Sequence, residues 1–235
     1  MGWGMKWGGA QRAPKAEERT EPTLSRPAPT ASAAAAARRA TPTATALQPP
    51  VPETSWNARV FEHIEWRRFE AVCEGLFAQS GMRAETQSHG ADGGVDIWLW
   101  SQFSDKPVIV QCKHWKKRVV GVKELREFYG VLKSHDLTYG TFATSSTFSQ
   151  DALAFAKDNR INAQDREGLL RLIAGRAQDQ QSALLRTAYE GEYWKPTCVK
   201  CGVKMVLREK RDGSSSFWGC ANYGKTRCTN MMRLG

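Results

Sequence analysis

The stretch GGVDIWLWSQFSDKPVIVQCKHW, residues 93–115, constrains the fold more than any other part of the chain. Two short apolar runs flank a Ser/Asp/Pro turn, the pattern of two paired strands. Strand alternation puts Val95, Ile97 and Leu99 on one face and Asp96, Trp98 and Trp100 on the other. In the second run Val108, Val110 and Cys112 share a face, and Ile109, Gln111 and Lys113 share the opposite one. Regular register would set Asp96 across from Gln111 and Lys113. The plainer reading is an exposed cross-strand ion pair between Asp96 and Lys113. The alternative is a site: an acid and an amide oxygen are hard ligands suited to Mg2+ or Mn2+, and a neighbouring ammonium can stabilise developing negative charge. Trp98 and Trp100 on the same face argue against bare exposure to solvent.

The flanking segments supply helices. Trp66, Phe69, Cys73, Leu76 and Phe77 recur at helical spacing from Glu65, and Gly81 marks a stop. Glu70 lies about 40° from Trp66 on a helical wheel, at the border of the apolar face. Strands are expected at 82–88, 94–100 and 107–113, then a helix over 122–134 and a strand over 138–144. A helix capped by Ser149 follows, then a short strand near Ile161 and a helix over 166–174. This αβββαβα order predicts an α/β fold with a mixed sheet between helices. The core domain is expected over 58–175. Residues 1–57, rich in Ala, Pro and Thr, show no hydrophobic period and read as a disordered arm. Residues 176–195 read as a polar linker with helical character around SALLRTAYE.

The formal net charge of +10 is unevenly spread. Residues 58–192 balance at 18 basic and 18 acidic, whereas residues 193–235 hold 9 basic and 2 acidic. Such a tail suits a polyanion, with nucleic acid the leading partner. Cys198, Cys201, Cys220 and Cys228 form C-x2-C-x18-C-x7-C. Four thiols at that spacing point to a structural, tetrahedral Zn2+ site, closed to catalysis. MVLREKRDGSSSFWGC reads as a hairpin turning at Asp212-Gly213. Cys73 and Cys112 fall inside apolar patterns, so the cysteines suggest buried thiols and a metal site in a reducing, cytoplasmic compartment. No apolar stretch approaches a membrane span, and no secretory signal is readable.

The segments FEAVCEGLF, GADGGVDIWLW and QCKHW, with fourteen residues between Asp96 and Gln111, resemble the Mrr-like branch of the PD-(D/E)xK nucleases. TFATSSTFSQDALAFAKDNRI is similar to the same branch, and the likeness covers about residues 60–175. It implies a restriction-endonuclease-like αβββαβ core and metal-dependent hydrolysis of DNA phosphodiester bonds. Carried over, Asp96 would be the metal-binding acid and Gln111 the second ligand, where many relatives carry Glu. Lys113 would be the catalytic lysine and Glu70 the helix acid completing the Mg2+ (or Mn2+) site. Gln111 in place of Glu removes one negative charge, which should weaken metal binding. Asp92 shapes the Gly-rich turn or joins the site directly. Lys116, Lys117, Arg118, Lys123 and Arg126 follow the site and could contact DNA phosphates. His89 and His114 flank it; a lone His is more often structural.

The four-cysteine stretch over 198–228 is similar to the C-terminal zinc ribbon of bacterial type I topoisomerases, most of all in FWGCANY. Val199 stands where Pro is frequent. The likeness implies DNA binding. Arg208, Lys210, Arg211, Lys225 and Arg227 offer phosphate contacts, and Phe217, Trp218 and Tyr223 offer stacking faces, though Phe217 or Trp218 must fill the small core. The reading is therefore a DNA endonuclease for restriction of foreign or modified DNA, with a ribbon that grips DNA. Double-strand cutting would call for a homodimer. A repair nuclease, an inactive DNA-binding module and a topoisomerase accessory fragment are the alternatives.

Overall fold

In the computed structural model the central element is a five-stranded mixed sheet in the order β1-β2-β3-β4-β5. β1 (Arg83–Thr86), β2 (Ile97–Trp100) and β3 (Val108–Lys113) run antiparallel in sequence; β3, β4 (Gly140–Thr144) and β5 (Ile161–Gln164) are parallel. The structure describes residues 48–86 and 94–234, all within one compact unit, Thr41–Gly235. Of the arm expected over 1–57, residues up to 47 lie outside the described residues, as do His89 and Asp92, whereas 48–57 belong to the domain: the Trp56 indole N–H donates to the Gln181 carbonyl at 2.9 Å and the Glu53 N–H to the Tyr189 hydroxyl at 3.0 Å.

Each sheet face carries its own apolar layer. On one side Phe61 of α1 (Ala58–His63), Phe69, Cys73 and Leu76 of α2 (Trp66–Ala78) and Leu169 of α5 (Arg166–Ala174) pack on Ile97, Val110 and Cys112. On the other, Leu125, Phe128 and Leu132 of α3 (Val122–Ser134) and Ala152 of α4 (Gln150–Asp158) pack on Ile109 and Phe142. β4 is buried along its whole length, as a parallel strand covered on both faces should be. A Cβ at Gly140 would come within 2.7 Å of Leu132 and 2.8 Å of Phe128, so glycine lets α3 lie close against β4. Ser149 caps α4 by accepting from the Ala152 N–H, and Asp165 caps α5 by accepting from Gly168.

The segment expected as a linker is instead part of the core. Residues 178–188 form α6, whose Leu184 and Ala188 join the α2 layer, and Tyr193 is buried beside them. Apolar side chains four apart give this otherwise polar helix one buried face. The chain then enters a three-stranded antiparallel sheet: β6 (Met205–Glu209), β7 (Ser216–Cys220) and β8 (Met231–Arg233), with α7 (Tyr223–Thr226) between the last two. The β6–β7 hairpin turns at Asp212-Gly213, where Asp212 accepts from the Ser214 N–H and Gly213 takes φ +67°.

Candidate active site

Sheet register is regular along β2 and β3, with Ile97 opposite Val110 and Leu99 opposite Val108, and it breaks at Asp96. The Asp96 N–H donates to the Val110 carbonyl at 3.0 Å, although Ile97 is that residue's partner. Two residues thus face one, a β-bulge. The expected alternation fails there: Ile97 and Leu99 enter the α2 layer, while Val95 packs in the α3 layer. The reason is the acid itself. One Asp96 carboxylate oxygen accepts from the Cys112 N–H at 2.6 Å, taking a ladder position that backbone would otherwise fill. Asp96 therefore does not stand across from Gln111 in a flat ladder; it is re-aimed at the end of β3. Gly94 starts the bend at φ +88°, and a Cβ there would lie 3.4 Å from the Gln111 amide nitrogen.

Glu70, on α2, approaches from the layer that also holds Cys112. Burial pushes its carboxyl up to about 8, with the nearby Asp96 and Glu65 charges adding to the rise and Arg67 and Lys113 opposing it. Asp96 is raised by burial as well, offset by the Cys112 N–H and the Lys113 ammonium. Two carboxylates and a lysine thus share one poorly solvated place, and two acids held up in this way fit a cation. Glu70 and Asp96 offer carboxylate oxygens of the kind that Mg2+ or Mn2+ takes, and the Gln111 amide nitrogen lies toward Gly94.

The Lys113 ammonium lies 5.7 Å from the Trp115 ring centroid, and the Arg118 guanidinium lies 3.9 Å from it. Arg118 also pairs with Glu124 at 2.9 Å, and Glu124 accepts from the Gly121 N–H at the start of α3. Lys116 donates to the Glu62 carbonyl at 2.6 Å, tying this loop to α1, while Lys117 is exposed. Lys123 pairs with Glu127, and Arg126 covers the Phe155 ring. His114 is structural: its Nε2 meets the Ile64 carbonyl at 2.9 Å and its ring stacks on Phe69. Burial lowers it to about 3, Lys116 adding to the shift, so the ring stays neutral.

In the C-terminal sheet the sulfurs of Cys198, Cys201, Cys220 and Cys228 all lie within 4.8 Å of one another. The Cys198 and Cys228 sulfurs are 3.8 Å apart. Four sulfurs each about 2.3 Å from a tetrahedral centre would be spaced by about that distance, so the cluster fits Zn2+. Asn230 and the Asn222 N–H donate to the Cys198 and Cys220 sulfurs at 3.4 Å, as donors around a metal thiolate do. Trp218, expected as a stacking face for DNA, is instead 7% exposed, with its ring edge-on to Trp194. With only Cys198, Met205 and Cys220 buried around it, this sheet needs the indole as core. Tyr223 is 58% exposed. Arg208 lies over Gly219, and Lys210, Arg211, Lys225 and Arg227 are exposed.

Residues 61–173 match the restriction endonuclease family Mrr_cat. Over these residues the chain is similar to Mrr-type restriction endonuclease domains. Over 96 residues the chain is 33% identical to the type IV methyl-directed restriction enzyme EcoKMrr of Escherichia coli strain K12, covering 38% of this chain and 31% of that one. Among solved structures it is similar to the restriction endonuclease MspJI in complex with a 27-mer oligonucleotide, at 19% identity and a TM-score of 0.38 over 58% of this chain and 33% of MspJI. It is also similar to the DNA modification-dependent restriction endonuclease AspBHI, at 17% identity and a TM-score of 0.38 over 56% of this chain and 38% of AspBHI. The chain thus spans about a third of the length of these relatives. Among the described residues no helix is long and apolar enough to cross a membrane.

Proposed function

We propose that the protein is a Mg2+-dependent endonuclease acting on foreign or modified DNA, with the four-cysteine ribbon as a second, Zn2+-stabilised contact to that DNA. The observation that carries the reading is the bulge at Asp96, which turns the acid toward the Cys112 N–H while Glu70 lies within electrostatic reach of both Asp96 and Lys113. Asp96, Glu70 and the Gln111 oxygen would hold Mg2+ or Mn2+. When bound, that ion supplies a Lewis acid that polarises the phosphodiester. Lys113 positions water for in-line attack, and its positive charge offsets the charge that develops on the phosphoryl oxygens. Trp115, against Lys113 and Arg118, limits where the ammonium can go. Lys117 and Arg118 border the site and would meet backbone phosphates, which fix position without reading sequence. The methyl-directed relative favours modified DNA as substrate. Cutting both strands would bring two copies of the chain together.

The test is cleavage of methylated and unmethylated plasmid DNA in the presence of Mg2+. Wild type should cut, and Lys113→Ala should lower the rate by about 10²–10³-fold while still binding DNA. Equal rates for the two proteins would remove Lys113 from the mechanism. Binding by wild type with no cleavage of either DNA would leave a DNA-binding module.

A further inference from the structure

The ribbon is built into the start of α2, the helix that carries Glu70. Glu65 is the N-cap residue of α2, yet its carboxylate does not cap the helix. It is 5% exposed and turns to the ribbon instead. One oxygen accepts from the Thr197 N–H at 3.2 Å; the other accepts from the Thr197 hydroxyl at 3.1 Å and the Lys204 ammonium at 3.2 Å. Thr197 immediately precedes Cys198, and Lys204 faces it across an isolated bridge. The next two residues of α2 repeat the attachment. The Trp66 indole N–H donates to the Thr197 carbonyl at 2.8 Å, and Arg67 donates to the Gly202 carbonyl at 3.3 Å. Gly202 closes the Cys198–Cys201 knuckle by donating its N–H to the Cys198 carbonyl. Trp194 packs against both the α2 layer and the ribbon core.

We infer that Glu65 is a positioning residue that fastens the metal-loaded ribbon to α2 and so holds Glu70 in the nuclease centre. The ribbon is then a working part of that centre as well as a contact for DNA. Its first knuckle can present Thr197, Gly202 and Lys204 to α2 only while the four thiols are gathered, and a tetrahedral metal gathers them. Without the knuckle, a buried carboxylate at the start of α2 loses its partners and must turn to water, drawing the first turn of the helix with it. Glu70 sits just over one turn along. This inference rests on the reading of Glu70, Asp96 and Lys113 as the nuclease centre.

Two measurements on the full chain test it: amide hydrogen exchange along α2, and Mn2+ affinity by electron paramagnetic resonance. Stripping zinc with a chelator, then desalting, should speed exchange in the first half of α2 more than in β3 and β4. It should also weaken Mn2+ binding by about tenfold, the lower end of the effect of losing an outer-shell partner. Zinc-loaded Glu65→Ala should do the same, and Glu65→Gln, which keeps one acceptor for Thr197 and loses the charge that faces Lys204, should fall between it and wild type. If Glu65→Ala does not fold, zinc-loaded Lys204→Met is read by the same two criteria. A folded, zinc-loaded variant with unchanged α2 exchange and unchanged Mn2+ affinity overturns the inference. So does zinc removal that unfolds the ribbon and leaves α2 exchange as it was. If wild type binds no Mn2+, the nuclease centre fails, and the exchange data alone decide whether the ribbon holds α2.

Discussion

The α/β domain and the ribbon solve the same problem by opposite means. The domain buries an apolar layer on each face of a sheet and places its acids by backbone register and one bulge. The ribbon has four buried apolar or thiol side chains, Cys198, Met205, Trp218 and Cys220, and two of those are sulfur ligands of its candidate metal centre. In one region the core creates the site; in the other the site stands in for a core. Small sheets with so little to bury commonly draw stability from a bound metal, and the four gathered thiols fit that role.

The sharpest way to break this contrast is to take the metal away. Structural zinc contributes about 10–16 kcal/mol of apparent binding energy in small domains. Cys220→Ser should therefore unfold β6–β8, seen as loss of the near-ultraviolet signal from the Trp194–Trp218 pair. The far-ultraviolet helix signal should largely persist. Loss of both signals together would mean that the two regions fold as one. The reciprocal change is Phe142→Ala in the sheet core, which should cost about 3–5 kcal/mol in urea unfolding of the α/β domain. Zinc stoichiometry should stay at its wild-type value.

The same contrast explains what could be read from sequence. α3 over 122–134, α5 over 166–174 and the Ser149 cap fall where expected, because each depends on apolar spacing or a cap within one turn. The bulge at Asp96 was hidden: alternation is a local rule, and here a side-chain oxygen displaces it by taking the Cys112 N–H from another strand. Val95 moves to the α3 layer as a result. The helical character read around SALLRTAYE is α6, but its burial does not show in composition because polar residues outnumber the few that pack on α2; Leu184 with Ala188, four apart, is the available signal. Trp218 carried competing signals, as an aromatic in a basic tail and as the largest side chain of a very small core, and packing against Trp194 decides for the core. The role of Glu65 had no sequence signal, since its partners lie more than 130 positions away.

A smaller effect separates the regions by pH. His114 is half-buried beside Phe69 with its Nδ1 out of reach of solvent, and its folded-state value of about 3 lies below the ordinary 6.5. Above about pH 6.5 the ring is neutral whether the chain is folded or not, and stability does not depend on it. Below that, the unfolded chain takes up a proton that the folded chain refuses, so stability falls as pH drops toward 3. Between pH 7 and pH 5 the loss should be about 2 kcal/mol. Glu70, pushed up to about 8, acts in the opposite sense in both proteins, so the difference between them is what reads His114: in urea unfolding, wild type should lose about 2 kcal/mol relative to His114→Gln on going from pH 7 to pH 5. An identical pH dependence in both proteins would show that the ring titrates freely in the folded domain.

The finest distinction lies inside the ribbon, between two aromatics that look alike in sequence. Tyr223 is exposed on α7 and Trp218 is core. Tyr223→Ala should weaken single-stranded DNA binding by about 1 kcal/mol, the low end for one stacked base, without altering the melting of the ribbon. Arg211→Ala, at the exposed tip of the β6–β7 hairpin, should reduce the salt slope of binding by about one counterion and act alike on every sequence. Trp218→Ala should lower ribbon stability first and DNA affinity only as a consequence, so that added zinc restores part of the binding. If Trp218→Ala weakens binding with the ribbon still folded, the indole reaches DNA after all. The small core would then have to be held by the metal centre and Met205 alone.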